Sequence, residues 1–201
     1  MNKSRGRRAG NPDTRAEILE VARDHFLSAG YAATSMRAIA ADASVDVALL
    51  SYHFASKQGL FASAMELPVR PGDLIEHALD APVEQWPGRI LRTVLRVWDD
   101  PEVGPVLVQT VLATAAKQSG TGGFVEFLET ELLGRVKGRL AGRDAEARAT
   151  GVLMTIAGVL MTRYVLKVPT MANASPEEIV RIATPGIAIH LRGAQLRDPS
   201  I

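Results

Sequence analysis

The chain reads TSMRAIAADASVDVALLSYHFASKQGLF over residues 34–61, and this stretch predicts two short helices joined by a tight turn, with a third helix following at once. Thr34 or Ser35 can cap the first helix, because a hydroxyl there accepts from a backbone N–H that has no partner inside the helix. Asp46 holds the equivalent position before the second helix, which runs to Phe54. Two short helices at this spacing predict a helix-turn-helix, in which the second helix faces the bases and the first braces it.

Apolar residues mark the buried side of this helix pair. In the first helix they are Met36, Ile39, Ala40 and Ala43, and in the second they are Leu50 and Phe54. The outward side of the second helix keeps Val47, Ala48, Ser51 and Tyr52. Small and hydrogen-bonding side chains of this kind can approach base edges in a major groove.

The residues around the helix pair resemble the TetR family of repressors in both order and spacing. The matching residues are Phe26, Gly30-Tyr31, Thr34-Ser35, Arg37-Ala38-Ile39-Ala40, Val45, Tyr52-His53-Phe54, Ser56-Lys57 and Leu60-Phe61. The resemblance covers only the first quarter of the chain. It implies a DNA-binding head followed by a helical domain that binds a small molecule and forms the dimer.

The resemblance also implies which residues contact DNA. Phosphates are expected at Thr34, Arg37, Tyr52, His53 and Lys57, with Ser35 in the same set, and bases are expected at Val47, Ala48 and Ser51. Two positions depart from the family pattern: Val47 stands where a polar or basic residue is common, and Ser51 stands where an aromatic residue usually precedes Tyr52. Base discrimination is therefore expected to rest on thymine-methyl contacts, on Ser51 and on DNA shape.

Composition and charge predict a cytoplasmic protein of two domains. The chain has 201 residues, a formal net charge of +1 and no cysteine, which excludes disulfides and cysteine-based zinc sites. Its beginning is basic and polar, unlike a signal peptide. The apolar stretch 152–168 contains Arg163 and Lys167 and falls short of the ~20 apolar residues that span a bilayer, so a buried helix and no membrane contact are expected.

Three segments are predicted along the chain: a disordered basic arm at 1–10, a helix-turn-helix domain at 11–56 and a ligand-binding and dimerisation domain at 57–201. The arm carries Lys3, Arg5, Arg7 and Arg8 with no acidic residue among them. A solvated tail is one interpretation. Beside a helix-turn-helix, an auxiliary contact with phosphates or a minor groove is the other.

The whole chain is expected to be all-α, with about nine helices, because no segment alternates apolar and polar residues as a half-buried strand would. The later helices are expected at 83–99, 101–117, 122–141, 144–168 and 176–196. The sequence has no phosphate-binding loop, nucleophile elbow or His-Glu metal helix, so no enzyme, cofactor or metal site is predicted. Glu126, Glu129 and Glu131 fit the polar side of an amphipathic helix.

Small residues recur in the last two long helices. Gly151, Thr155, Gly158 and Thr162 follow one another at steps of four, three and four, and Ala183, Gly186 and Gly193 form a similar stripe in the final helix, with Ile187 beside them in the predicted interface. Ordinary packing inside one subunit explains either stripe. The resemblance instead favours a homodimer, because similar proteins pair through a four-helix bundle of their last two helices. A dimer would present two recognition helices to a palindromic operator.

Bulky residues in the middle helices are the candidates for a ligand cavity. They are Trp86, Trp98, Phe124, Phe127, Met154 and Tyr164. For each residue taken alone the core interpretation is favoured, because aromatic and Met residues at helical spacing are usually core residues. The resemblance implies a repressor of double-stranded DNA that a small inducer releases by spreading the two heads, and the few polar residues in these stripes favour an apolar inducer. The alternatives are an all-α carrier or enzyme with a vestigial helix-turn-helix, and an activator or a regulator without a ligand.

Overall fold

The computed structural model describes residues 12–116, 123–192 and 195–196, and the chain forms two compact units, Met1–Leu67 and Pro68–Ile201. The predicted arm at 1–10 lies outside the described residues. The first unit extends beyond residue 56, where the sequence suggested a boundary, because the helix that starts at Lys57 packs on the first helix of the chain.

Four helices make up the described part of the first unit. They are α1 (Pro12–Ser28), α2 (Met36–Asp42), α3 (Val47–Phe54) and α4 (Lys57–Ala64). The Ala38 amide donates to the Ser35 hydroxyl over 3.1 Å, and the Ala48 amide donates to the Asp46 carboxylate over 2.7 Å. Both hydrogen bonds satisfy amides that lack a partner within the helix, which confirms the caps expected at Ser35 and Asp46.

Three aromatic rings form the centre of the first unit. Phe61 meets Phe26 and Tyr31 edge-to-face, with ring centroids 4.9 Å and 5.0 Å apart, and all three rings are buried. Each edge-to-face pair stabilises the folded state by about 0.5–1.5 kcal/mol, in addition to the stabilisation from burying the apolar area of the rings. This cluster joins α1 to α4. Because α2 packs on α1 and α3 packs on α4, the same cluster supports the helix-turn-helix.

The second unit contains seven further helices. Five of them are continuous α-helices, and one of these five follows a short 3-10 turn. They include α5 (Pro71–Leu79), α6 (Trp86–Trp98, after a 3-10 turn at Val83–Gln85), α7 (Val103–Ala116), α10 (Pro169–Ala172) and α11 (Pro176–Leu191). The other two contain π turns: α8 comprises Gly123–Leu128, Glu129–Leu133 and Gly134–Arg139, and α9 comprises Ala145–Leu160 and Met161–Val165.

The described residues thus form eleven helices, close to the nine expected, and the all-α prediction is confirmed. The one strand pair among them joins β1 (Leu140–Ala141) to β2 (Gln195–Leu196) in antiparallel register. The core of the second unit lies where α6, α9 and α11 meet, and it includes Ile90, Val152 and Ile187. No helix in the described part of the chain has the length and apolar character needed to cross a membrane.

The contact between α9 and α11 corrects part of the predicted dimer interface. A Cβ added at Gly151 would lie 2.2 Å from Nδ1 of His190, and one added at Gly186 would lie 3.3 Å from Cγ2 of Thr155. These small residues therefore allow two helices of the same subunit to approach closely. Ile187 is fully buried in this core, so neither Gly151 nor Ile187 offers a surface to a second chain.

The rest of the predicted stripe faces other surroundings. Gly158 is exposed, and a Cβ added there would meet nothing within 4 Å. The Thr162 hydroxyl donates to the Gly158 carbonyl oxygen over 2.7 Å, and Thr162 and Ala183 are half-buried. The stripe was expected on one face of the helix. Gly158 lies seven residues, or nearly two full turns, after Gly151 and therefore on the same side of the helix, so the stripe divides along the helix axis: α11 contacts the part at Gly151 and leaves the part at Gly158 open.

Alanine substitution separates the two glycine environments. Gly151→Ala should lower the free energy of unfolding by about 1–3 kcal/mol, because the new methyl group overlaps the His190 ring. Gly158→Ala should leave the stability of the subunit itself unchanged or raise it by about 0.5–1 kcal/mol, because alanine loses less backbone entropy in a helix and the added Cβ meets nothing within the subunit. Urea titration followed by circular dichroism measures both variants. Equal effects of the two substitutions would contradict the assigned packing.

Candidate DNA-binding surface

Helix α3 has one face buried and one face open. Leu50 and Phe54 are buried, whereas Ala48 and Ser51 are exposed and the Tyr52 side chain is 82% exposed. The Ser51 hydroxyl donates to the Val47 carbonyl oxygen over 3.2 Å, and Val47 itself is half-buried. The exposed face of α3 thus carries short side chains with one large aromatic residue near its end.

Two basic residues of the first unit lie at helix N-termini, one in α2 and one in α4. Arg37 is exposed in the first turn of α2, and it has no hydrogen bond or ion pair with any other described residue. Lys57 begins α4, where its ammonium group donates to the Ala32 carbonyl oxygen over 3.3 Å and lies 4.4 Å from the centre of the Tyr31 ring. Cations at helix starts are not favoured by the helix dipole, so an anionic partner would stabilise them.

Thr34 lies elsewhere than the sequence analysis expected. Its side chain is buried, and its hydroxyl donates to the Gly30 carbonyl oxygen over 2.7 Å and contacts the His25 carbonyl oxygen over 3.2 Å. The Thr34 side chain therefore holds the connection between α1 and α2 and is not available to a phosphate. Ser35 is exposed, but its hydroxyl already caps α2.

Two histidines contribute differently to this unit. His53 is half-buried beside the Tyr52 and Phe54 rings, and its Nε2 has no hydrogen-bond partner among the described residues. His25 is half-buried, and its Nε2 lies 2.7 Å from the Asp42 carboxylate. This contact joins α1 to the end of α2. It brings together residues seventeen positions apart, so helical periodicity alone does not reveal it.

Comparison with known proteins agrees with this geometry. Residues 18–64 match a family model described as bacterial regulatory proteins of the tetR family, and residues 84–191 match one described as a tetracyclin repressor-like C-terminal domain. The second match alone covers more than half of the chain. This chain belongs to the TetR family. Members of the family are DNA-binding repressors that respond to ligands, so a regulator is favoured over a carrier or enzyme with a vestigial helix-turn-helix.

Solved structures of TetR-family proteins resemble this chain over most of its length. A TetR-family regulator from Streptomyces coelicolor A3 is 31% identical, with a TM-score of 0.56, and the match covers 93% of this chain and 99% of that one. A TetR-family transcriptional regulator from Mesorhizobium loti is 20% identical, with a TM-score of 0.50 and coverage of 90% and 96%, and this likeness shows the fold alone. No curated protein matches the chain significantly.

The six ligand-site candidates lie in different surroundings in the part of the TetR-family chain that the structure describes. Trp86 and Phe127 are buried core residues, and the Trp86 indole donates to the Ala81 carbonyl oxygen over 2.8 Å. Phe124 lies beside Phe127, with ring centroids 6.5 Å apart. Met154 is 69% exposed on α9, so it does not line an internal cavity of the subunit. The core interpretation of Trp86 and Phe127 is therefore the better supported one.

The remaining two candidates belong to a polar cluster between α6 and α9. The Trp98 and Tyr164 ring centroids are 5.3 Å apart, and the Tyr164 hydroxyl donates to the Asp99 carboxylate over 2.8 Å. Burial raises the pKa of Tyr164, and the hydrogen bond to Asp99 raises it further, so the phenol stays protonated. Arg163 is buried nearby and lies 3.4 Å from the same carboxylate.

From the sequence, the charge of Arg163 predicts only that the stretch 152–168 does not span a membrane. In the structure its guanidinium donates to the carbonyl oxygens of Met171 and Ala174 over 2.7 Å and 2.8 Å. It therefore fixes the connection between α9 and α11 to the end of α6, through Asp99. A buried arginine needs such partners, because an unpaired buried charge is strongly destabilising.

Proposed function

We propose that this TetR-family protein is a homodimeric repressor that places α3 of each subunit in the major grooves of a palindromic operator. The observation that supports this proposal is the polarity of α3, with Leu50 and Phe54 buried beneath an exposed face of Ala48, Ser51 and Tyr52. In helix-turn-helix proteins, the second helix enters the major groove and its outward side chains contact base edges. The double-stranded operator is released when a small molecule with an apolar body binds the second unit.

Contacts with the DNA divide into positioning and readout. Arg37, Tyr52 and Lys57 are proposed to hold phosphates, since all three carry hydrogen-bond donors: Arg37 and Tyr52 are exposed, and Lys57 is half-buried at the start of α4. Val47, Ala48 and Ser51 are proposed to face the bases. Methyl groups on Val47 and Ala48 suit thymine, and the Ser51 hydroxyl can donate or accept, so part of the specificity is expected to come from DNA shape.

The dimer is proposed to form through the exposed apolar residues of α9 and α11. These are Met154, Gly158 and Met161 on α9, and Ile182 and Ile189 on α11. Large apolar side chains on neighbouring exposed helix faces favour association, because their burial stabilises a dimer by about 25 cal/mol per Å². This set replaces Gly151 and Ile187, which the subunit core uses, and it retains Gly158.

Selection of bound genomic fragments tests the operator proposal. The fragments recovered should share a palindromic motif, because a two-fold dimer presents two identical recognition helices. On the selected site, Arg37→Gln should weaken binding and make the slope of log affinity against log salt shallower by about two, since each subunit would neutralise one phosphate fewer. Arg37 gives a cleaner test than Lys57, whose side chain also contacts Tyr31.

Arg143→Gln is the matched control, because Arg143 is an exposed arginine of the second unit. It should change neither the affinity nor the salt slope. An unaltered slope in Arg37→Gln would remove Arg37 from the proposed phosphate contacts. Fragments without a shared motif would contradict sequence-specific DNA binding as the function of this chain.

A further inference from the structure

A groove of about 630 Å³ runs between α6 and α11 in the second unit. Its apolar lining includes Leu95 and Val180, whose side chains are buried, together with Pro176 and Pro185. This volume lies within the range of about 300–1,000 Å³ found for small-molecule sites. The groove contains none of the six ligand-site candidates from the sequence analysis, so it is a separate feature of the molecule.

Three arginines also line this mainly apolar groove. Arg92 and Arg96 lie one helical turn apart on α6, and Arg181 faces them from α11. Neighbouring like charges at this spacing destabilise a helix unless an anion compensates them. No carboxylate in the described part of the chain lies within ion-pair distance of any of the three.

The carboxylates at the groove compensate only part of this charge. Asp99 accepts the hydrogen bond from Tyr164 and lies beside the buried Arg163, so its charge is already compensated. Glu177 and Glu178 lie four and three residues before Arg181 on α11 and offset its charge, which leaves Arg92 and Arg96 as the uncompensated cations of the groove. The groove therefore combines an apolar lining with an excess of positive charge.

Thr184 lines the groove, but its hydroxyl is not exposed in it. Oγ1 of Thr184 is buried and makes no hydrogen bond to any described residue, so the groove presents no polar atom of Thr184 to a ligand. Val180 and Thr184 lie on the opposite side of α11 from Ile182 and Ile189, because two residues correspond to about 200° of helical rotation. Pro185 lies between the two sides, so the groove and the proposed dimer face adjoin along one edge, while the buried part of the groove faces away from the dimer.

We propose that this groove binds an amphipathic carboxylic acid and that such an acid is the inducer. Its apolar body would lie on Leu95 and Val180, and its carboxylate would accept hydrogen bonds from the arginines. Planar guanidinium groups suit this role, because they donate to carboxylates in a bidentate manner. The inducer assignment rests on the proposed function, whereas the binding site itself is independent of DNA.

Calorimetric titration of the full chain tests the site without DNA. The ligands are straight-chain carboxylates from hexanoate to dodecanoate below their micelle concentrations, with 1-decanol as the neutral probe. Decanoate should bind more tightly than 1-decanol. The double variant Arg92→Gln/Arg96→Gln should bind decanoate at least about tenfold more weakly, because a hydrogen bond to a charged group accounts for about that factor. Its affinity for 1-decanol should not change.

The matched control is Arg143→Gln/Arg192→Gln, which removes the same charge at exposed positions outside the groove. It should bind decanoate as the parent chain does. No saturable binding of any acid in the series, or equal affinities of the parent and the groove variant, would overturn the site. Binding that leaves operator affinity unchanged would overturn the inducer role alone. Failure of the operator selection would leave the calorimetric result intact.

Discussion

Phe61→Ala is expected to unfold the first unit and abolish operator binding while the second unit stays folded. Phe61 is fully buried and meets Phe26 and Tyr31 edge-to-face, so its loss removes both ring contacts and leaves a cavity. Replacing a buried phenylalanine with alanine costs about 3–5 kcal/mol. Since small domains have net stabilities near the low end of about 5–15 kcal/mol, little or none would remain.

Thermal unfolding followed by circular dichroism, together with sedimentation, measures this outcome. The variant should lose part of its helicity at low temperature, keep a transition from the second unit and remain a dimer. Leu27→Ala is the control, because Leu27 belongs to α1 but is 53% exposed. It should retain normal helicity and operator binding. A Phe61→Ala variant with full operator affinity would contradict the role assigned to the aromatic cluster.

Ile182→Asp is expected to convert the dimer into folded monomers and to weaken operator binding by about 10²–10⁴-fold. Ile182 is 57% exposed on α11, so aspartate there disturbs no contact within the subunit. In the dimer the same carboxylate would be buried against apolar side chains, which is strongly unfavourable. Each head would then bind its half-site alone, without the effective concentration that linkage provides.

Sedimentation measures the subunit mass, and circular dichroism checks that the helices persist. Leu112→Asp is the matched control, because Leu112 is an exposed leucine on α7 and lies outside the face formed by α9 and α11. It should remain dimeric. Monomers from Leu112→Asp and dimers from Ile182→Asp would move the interface to another face. Loss of helicity in Ile182→Asp would place that side chain inside the subunit.

Local features of this chain could be predicted because they depend on neighbours in sequence. The caps at Ser35 and Asp46 each involve an amide two or three residues further on, and the burial of Leu50 and Phe54 follows from a four-residue spacing on one helix. The TetR family was identified from the same short region. Family models and a 31% identical structure then extended that assignment along the chain.

Contacts between segments that are distant in the sequence were harder to predict from the sequence. Thr34 fitted the phosphate contacts of similar proteins, but its hydroxyl faces carbonyl oxygens at the end of α1. The small-residue stripe was equally compatible with packing in one subunit and between two. The spacing of Gly151 and Gly158 places both on one side of α9 but does not show which of them contacts His190, since that depends on where along α9 the helix α11 packs.

The sequence by itself determined the all-α fold, the helix-turn-helix and the TetR family, because caps, turn residues and helical periodicity act over a few residues. Only the tertiary structure decided which small residues pack inside the subunit, which apolar side chains stay exposed, and that Arg92, Arg96 and Arg181 line one groove. Those outcomes depend on how helices far apart in sequence rotate and pack against one another, and neither composition nor spacing within a single helix specifies that rotation.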